Sequence, residues 1–138
     1  MNSREVKEAE EKTFRRGPLR NYTDRLVYKQ AYRLTLDIPK LTRALPRQEQ
    51  NELGRQVQRS SRAVAANIVE GWAKRTSSAK FKRHLILASG GAADTKFWLD
   101  LAADEGFAAR EACAQWKAEY SKVAMMIHNL WKEWRKLP

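Results

Sequence analysis

The 138-residue chain carries 27 Lys and Arg against 16 Asp and Glu, a net charge of +11, with 43% hydrophobic residues and only six Gly and four Pro. That length holds one domain with a core of its own, and the abundance of Ala, Leu, Lys, Arg, Glu and Gln favours an all-α fold. A single cysteine, Cys113, rules out an internal disulfide; with no apolar run of about 18 residues and no leader pattern, the chain reads as soluble, cytoplasmic and without membrane contact.

In chain order, residues 1–20 mix charges without apolar periodicity and contain Gly17-Pro18, which predicts a mobile charged N-terminal tail followed by one domain over 21–138. Val27, Ala31, Leu34, Ile38, Leu41 and Leu45 then recur at alternating spacings of four and three, the pattern of one buried helical stripe. Pro39 falls within that stripe and predicts a kink, not an end. Pro46 separates a second helix, expected over about 47–75, whose inward face is Leu53, Val57, Ser61, Val64, Ile68 and Trp72.

Thr76, Ser77 and Ser78 offer an N-cap to a third helix with the stripe Phe81, Leu85, Ala88, Ala92, Thr95, Leu99 and Ala102, and Gly106 is placed to end it. A fourth helix carries Trp116, Tyr120, Val123, Ile127, Leu130, Trp134 and Leu137 in the same rhythm. Four amphipathic helices with short connections predict an up-down-up-down antiparallel four-helix bundle.

The charge excess is local: residues 40–83 hold eleven basic and three acidic side chains, whereas 84–138 hold seven of each. On a helical wheel Arg55, Arg59 and Arg62 share an arc opposite the apolar stripe of the second helix. Arg43, Arg47, Lys74, Arg75, Lys80, Lys82 and Arg83 add charge around them. A solvated helix face is the ordinary reading of such an arc, but so few compensating acids point to a surface for a polyanion, RNA or DNA, contacted at phosphates and not at base edges.

Catalytic and metal chemistry find little support. His84 and His128 lie far apart, with no ligand set at metal spacing, Cys113 has no nucleophile signature, and no phosphate loop or nucleophile elbow is present. We therefore expect no enzyme, no cofactor and no metal. Gly90-Gly91 in mid-helix costs about 1 kcal/mol per glycine relative to Ala and predicts close approach by another helix. Five tryptophans exceed what such a bundle readily hides, so Gly90, Gly91, Trp72, Trp98 and Trp131 are expected at an oligomer interface. Asn67, beside the stripe, is expected to make a buried hydrogen bond that sets helix register, and Glu70, two turns on from Arg62, is expected either to make an intra-bundle or intersubunit ion pair or to stand as an ordinary exposed carboxylate.

Leu45-Pro46 through Leu53, Gln56-Val57-Gln58-Arg59-Ser60-Ser61, Asn67-Ile68-Val69-Glu70-Gly71 and Phe81 through Gly90 together carry a resemblance over residues 22–137. The chain resembles the four-helix-bundle family encoded in intervening sequences of bacterial 23S ribosomal RNA genes, to which the accessory variability determinant of diversity-generating retroelements is similar. The resemblance implies a bundle that assembles into a ring-shaped homo-oligomer, typically a pentamer, with a basic surface. In the retroelement branch it implies binding to a reverse transcriptase and to its template RNA or DNA; it carries over no catalytic residue. Gly91, where Ser is common, and Asp94, where Glu is common, depart from the family pattern. Two functions follow as expectations: a nucleic-acid-binding adaptor, and a structural or protein-interaction module.

Overall fold

The computed structural model describes residues 22–134 together with Arg4, so the rest of the expected tail and Leu137 lie outside the described residues. Among the described residues there are helices and no strand: α1 (Tyr22–Ala44), the single turn α2 (Arg47–Gln50), α3 (Leu53–Ala73), α4 (Ser78–Asp104) and α5 (Arg110–Trp134). The four long helices pack in cyclic order, α1 on α3, α3 on α4, α4 on α5, and α5 back on α1. Neighbours run antiparallel. Ser60 of α3 meets Thr95 of α4 while Asn67 meets His84, and Lys96 and Lys117 pair Ser121 and Asp100 across α4 and α5.

The predicted stripes are the core. Val27 through Leu41 on α1 with Leu45 just after it, Leu53 through Ile68 on α3, Phe81 through Ala102 on α4 and Tyr120 through Trp134 on α5 are buried at each position named above, leaving Trp72 and Trp116 half-buried against them. Interleaved side chains at four-three spacing explain why each helix needs its neighbours: most helical stability comes from burying such a face. Phe81 and Trp134 close one end, with ring centroids 4.4 Å apart.

Helix ends follow their local chemistry. α1 continues through Pro39. The expected helix over 47–75 is instead two pieces, interrupted at Asn51 and Glu52, where Glu52 leaves the helical region at φ −100°, ψ −83°. The interruption returns Leu53 and Gly54 to the buried face against α1. Ser77 caps α4, its hydroxyl accepting from the Lys80 N–H at 3.3 Å. At the other end Gly106 takes φ +77°, and the N–H groups of Gly106 and Phe107 donate to the carbonyls of Ala103 and Ala102, a Schellman motif. No described helix is long and apolar enough to cross a membrane.

Candidate nucleic-acid interface

α3 presents the arginines. Its buried positions, from Leu53 to Gly71, face α1 on one flank and α4 on the other, which leaves Arg55, Arg59 and Arg62 exposed along the outer edge. None of the three has an ion-pair partner among the described residues; Arg62 donates to Gln58 Oε1 at 3.1 Å. Elsewhere four cations are matched: Arg33 pairs with Glu119, Lys117 with Asp100, Arg110 with Asp104 and Lys40 with Asp37. The α3 edge thus carries three arginines without a carboxylate partner, whereas carboxylates offset several cations between α1 and α5 and between α4 and α5.

The other basic positions fall at the two ends of this edge. Arg43 and Arg47 are exposed beside the α1–α3 connection, and Lys74, Lys80 and Arg83 are exposed around the α3–α4 turn. Since α3 is 21 residues long, these groups extend over about 30 Å of one side of the bundle. Two members are partly engaged by aromatic rings. The Arg75 guanidinium stacks 4.3 Å from the Trp72 ring centroid and donates to the Trp72 carbonyl, and Lys82 Nζ lies 5.2 Å over Trp131, turned towards α5. Glu70 makes an ion pair inside the chain, with Lys74 one turn on at 3.6 Å.

Beside the arginines, α3 and α4 enclose an open groove of about 690 Å³ lined by Arg59 and Ala63 on one wall and by Ile86, Leu87, Gly90 and Phe97 on the other. Ile86 and Phe97 are 60% and 57% exposed. Trp98 is half-buried at its end, edge-on to Phe97. The glycine pair divides here. A Cβ on Gly91 would sit 3.0 Å from the Ser60 carbonyl oxygen, so the predicted close approach occurs inside the chain, between α3 and α4, where Gly91 is buried at the floor of the groove. Gly90 is exposed in the groove with nothing within 4 Å of a Cβ. Trp72 and Trp131, also expected at an oligomer interface, are half-buried on the core under Arg75 and Lys82.

The remaining polar groups serve the fold. Asn67 Nδ2 donates to the Ala63 carbonyl at 2.8 Å and its Oδ1 lies 3.1 Å from His84 Nδ1, which joins α3 to α4 as expected for a register-setting residue. Thr95 Oγ1 donates to the Gly91 carbonyl and contacts Ser60 Oγ at 2.8 Å, and the Tyr120 hydroxyl donates to Ser61 Oγ at 2.9 Å. Cys113 is buried, and burial pushes its thiol pKa up, away from thiolate chemistry. His128 is exposed and stacks on Trp131. No group of three potential metal ligands gathers among the described residues.

The apolar outer face of α4 was not picked out by periodicity. Its signal is present, because Ile86, Leu87 and Phe97 lie off the four-three stripe of a helix that is therefore apolar on more than one side.

Comparison with known proteins places the chain by sequence and by shape. The family described as 23S rRNA-intervening sequence protein matches residues 23–129. The fold is similar to the crystal structure of a protein with unknown function from the S23 ribosomal protein family of Bacteroides thetaiotaomicron VPI-5482. The TM-score is 0.74 at 23% identity, over 80% of this chain and 98% of that one, a likeness of fold. No curated protein matches the sequence.

Proposed function

The chain belongs to the 23S rRNA-intervening sequence protein family, and from that premise we propose that it is a non-enzymatic, homo-oligomeric adaptor that binds RNA or DNA by its phosphates along the outer edge of α3. The observation that carries this reading is the exposure of Arg55, Arg59 and Arg62 on one arc without a carboxylate partner among the described residues. Guanidinium groups left unneutralised on a rigid helix retain their full attraction for phosphate oxygens, and each phosphate neutralised releases condensed counterions. Arg43 and Arg47 at one end and Lys80 and Arg83 at the other extend the same surface.

Assembly into a ring, a pentamer on the resemblance, multiplies these contacts, so that individually weak phosphate contacts add through avidity. A reverse transcriptase is the protein partner implied by the retroelement branch. A reverse transcriptase gene beside this one would assign that role, and a position inside a 23S ribosomal RNA gene would assign the other.

The test is the triple substitution Arg55→Glu, Arg59→Glu and Arg62→Glu. Binding to RNA and to DNA in low salt is expected to be lost, with helical circular dichroism and the melting transition nearly unchanged, because exposed substitutions shift stability by no more than about 0.5 kcal/mol each. A parent that binds no polyanion in low salt would overturn the adaptor reading. A protein-interaction module would then replace it, a role favoured by the exposed Ile86, Leu87 and Phe97 on α4.

A further inference from the structure

We infer that the groove between α3 and α4 seats an unstacked base of a single strand whose phosphates lie along the arginine edge, giving single-stranded nucleic acid a contact that a duplex cannot make. This deepens the polyanion reading above and rests on it.

The polar lining of the groove is divided between groups that serve the fold and groups left over. Asn67 and Ser60 are committed to hydrogen bonds within the bundle. Gln56 and Arg59 line it from α3 and Asp94 from α4, and none of these three side chains has a hydrogen-bond or ion-pair partner among the described residues. Arg59 and Asp94 thus share one groove without pairing, so a ligand with an anion at one end and N–H donors at the other satisfies both. A nucleotide is such a ligand. Its phosphate suits the guanidinium, and every nucleobase has an N–H on its pairing edge for a carboxylate to accept. An apolar protein segment would instead cover both charges and pair neither.

The apolar lining supplies the face for the base. Phe97, three residues after Asp94 on the same side of α4, is 57% exposed and is braced edge-on by Trp98, with ring centroids 4.8 Å apart. A ring held in this way is a stacking partner, and stacking tolerates any sequence because every base has a π-face. Gly90, one turn before Asp94, keeps the space open, since a Cβ there meets nothing within 4 Å. The volume of about 690 Å³ lies within the range of roughly 300–1,000 Å³ in which small ligands are held. Arg55 and Arg62 flank Arg59 on α3, about 6 Å and about 4.5 Å away along the axis, so the strand meets a cation before and after the seated base. In a duplex the pairing edges are occupied and the faces are stacked on their neighbours, which leaves it the phosphate contacts alone.

The test compares an oligothymidylate, the same backbone with abasic sites in place of its bases, and a duplex, in low salt. Phe97→Ala removes the ring and Gly90→Leu fills the groove; both positions are exposed, and circular dichroism checks that helix content is kept. The parent is expected to bind the oligothymidylate more tightly than the abasic strand by roughly 5- to 150-fold, the factor that one base–aromatic stack corresponds to, and each variant is expected to lose that margin. Affinity of the variants for the abasic strand and the duplex, and the slope of log affinity against log salt, are expected to stay at the parent's values, because stacking releases no counterions. A parent that binds the oligothymidylate and the abasic strand alike, or variants that keep the parent's margin, would overturn the seated base and leave the phosphate contacts intact. Variants that change oligomeric state in light scattering with unaltered affinity would overturn it as well and assign the groove to a protein partner. A parent that binds none of the three probes would overturn the polyanion reading itself.

Discussion

Gly90 and Gly91 are adjacent in sequence and opposite in surroundings, which makes them a sharp test of packing at the scale of single residues. A Cβ at Gly91 meets the Ser60 carbonyl at 3.0 Å and Val64 Cγ2 at 3.1 Å, so Gly91→Ala must push α3 away from α4. It is expected to cost about 1–3 kcal/mol in denaturant unfolding. Gly90→Ala meets no atom and is expected to stabilise the helix by up to about 1 kcal/mol; equal effects at the two sites would contradict the packing described. Tyr120 gives a second test. Burial pushes its pKa up to about 12. The folded state therefore holds the phenolic proton more tightly than the unfolded chain, whose tyrosine titrates near 10. Stability from this group is fully present below about pH 10 and is lost as pH rises through about 12, by roughly 2–3 kcal/mol. Tyr120→Phe is expected to lose about 1 kcal/mol at neutral pH with the Ser61 bond, and to fall less steeply than the parent above pH 10 in urea titrations.

The helices differ in how completely their surroundings explain them. α4 begins at a serine cap and ends at a glycine in the left-handed region, both readable in the local sequence. Gly106→Ala places a Cβ at φ +77° and is expected to cost about 1 kcal/mol, seen as a lower urea midpoint, while Ala at an ordinary helical position would not. The middle of α4 is less typical, since apolar side chains lie on its outer side as well as in the core. A helix apolar on two sides buries only one of them within the single chain, and Ile86, Leu87 and Phe97 stay exposed on the other. α3 is the reverse, with one apolar flank and one arginine edge, so packing and exposed charge occupy separate sides of a single element.

For the whole molecule, the distribution of charge matters more than its total. Ion pairs offset part of the charge on the α5 side, and the α3 edge keeps its field; on the proposed reading such an asymmetry would steer a polyanion to one face. The expected consequence is binding that weakens steeply with salt and varies little with nucleic-acid sequence. Arg59→Gln should lower the slope of log affinity against log salt by about 0.7–0.9 for each copy engaged, uniformly across RNA sequences. An unchanged slope would place the phosphate contacts elsewhere.

How much of this was readable beforehand depends on the range of the interaction responsible. Helix positions and core residues follow from four-three periodicity, and the ends at Ser77 and Gly106 follow from capping, because each depends on residues within a turn or two of one another. The arc of Arg55, Arg59 and Arg62 was legible for the same reason, being a property of one helix. The interruption at Asn51 and Glu52 was not, since it comes from seating Leu53 and Gly54 against α1. Nor was the division between Gly90 and Gly91, which depends on the carbonyl of Ser60, thirty positions away in the chain, lying under one and not the other. The pairing of Arg33 with Glu119, which helps to neutralise one side and leave the other charged, likewise joins residues from the first and last helices. Local chemistry determined the elements and their faces; only the packed bundle decided which of those faces remained uncovered, because that depends on contacts the chain makes at a distance.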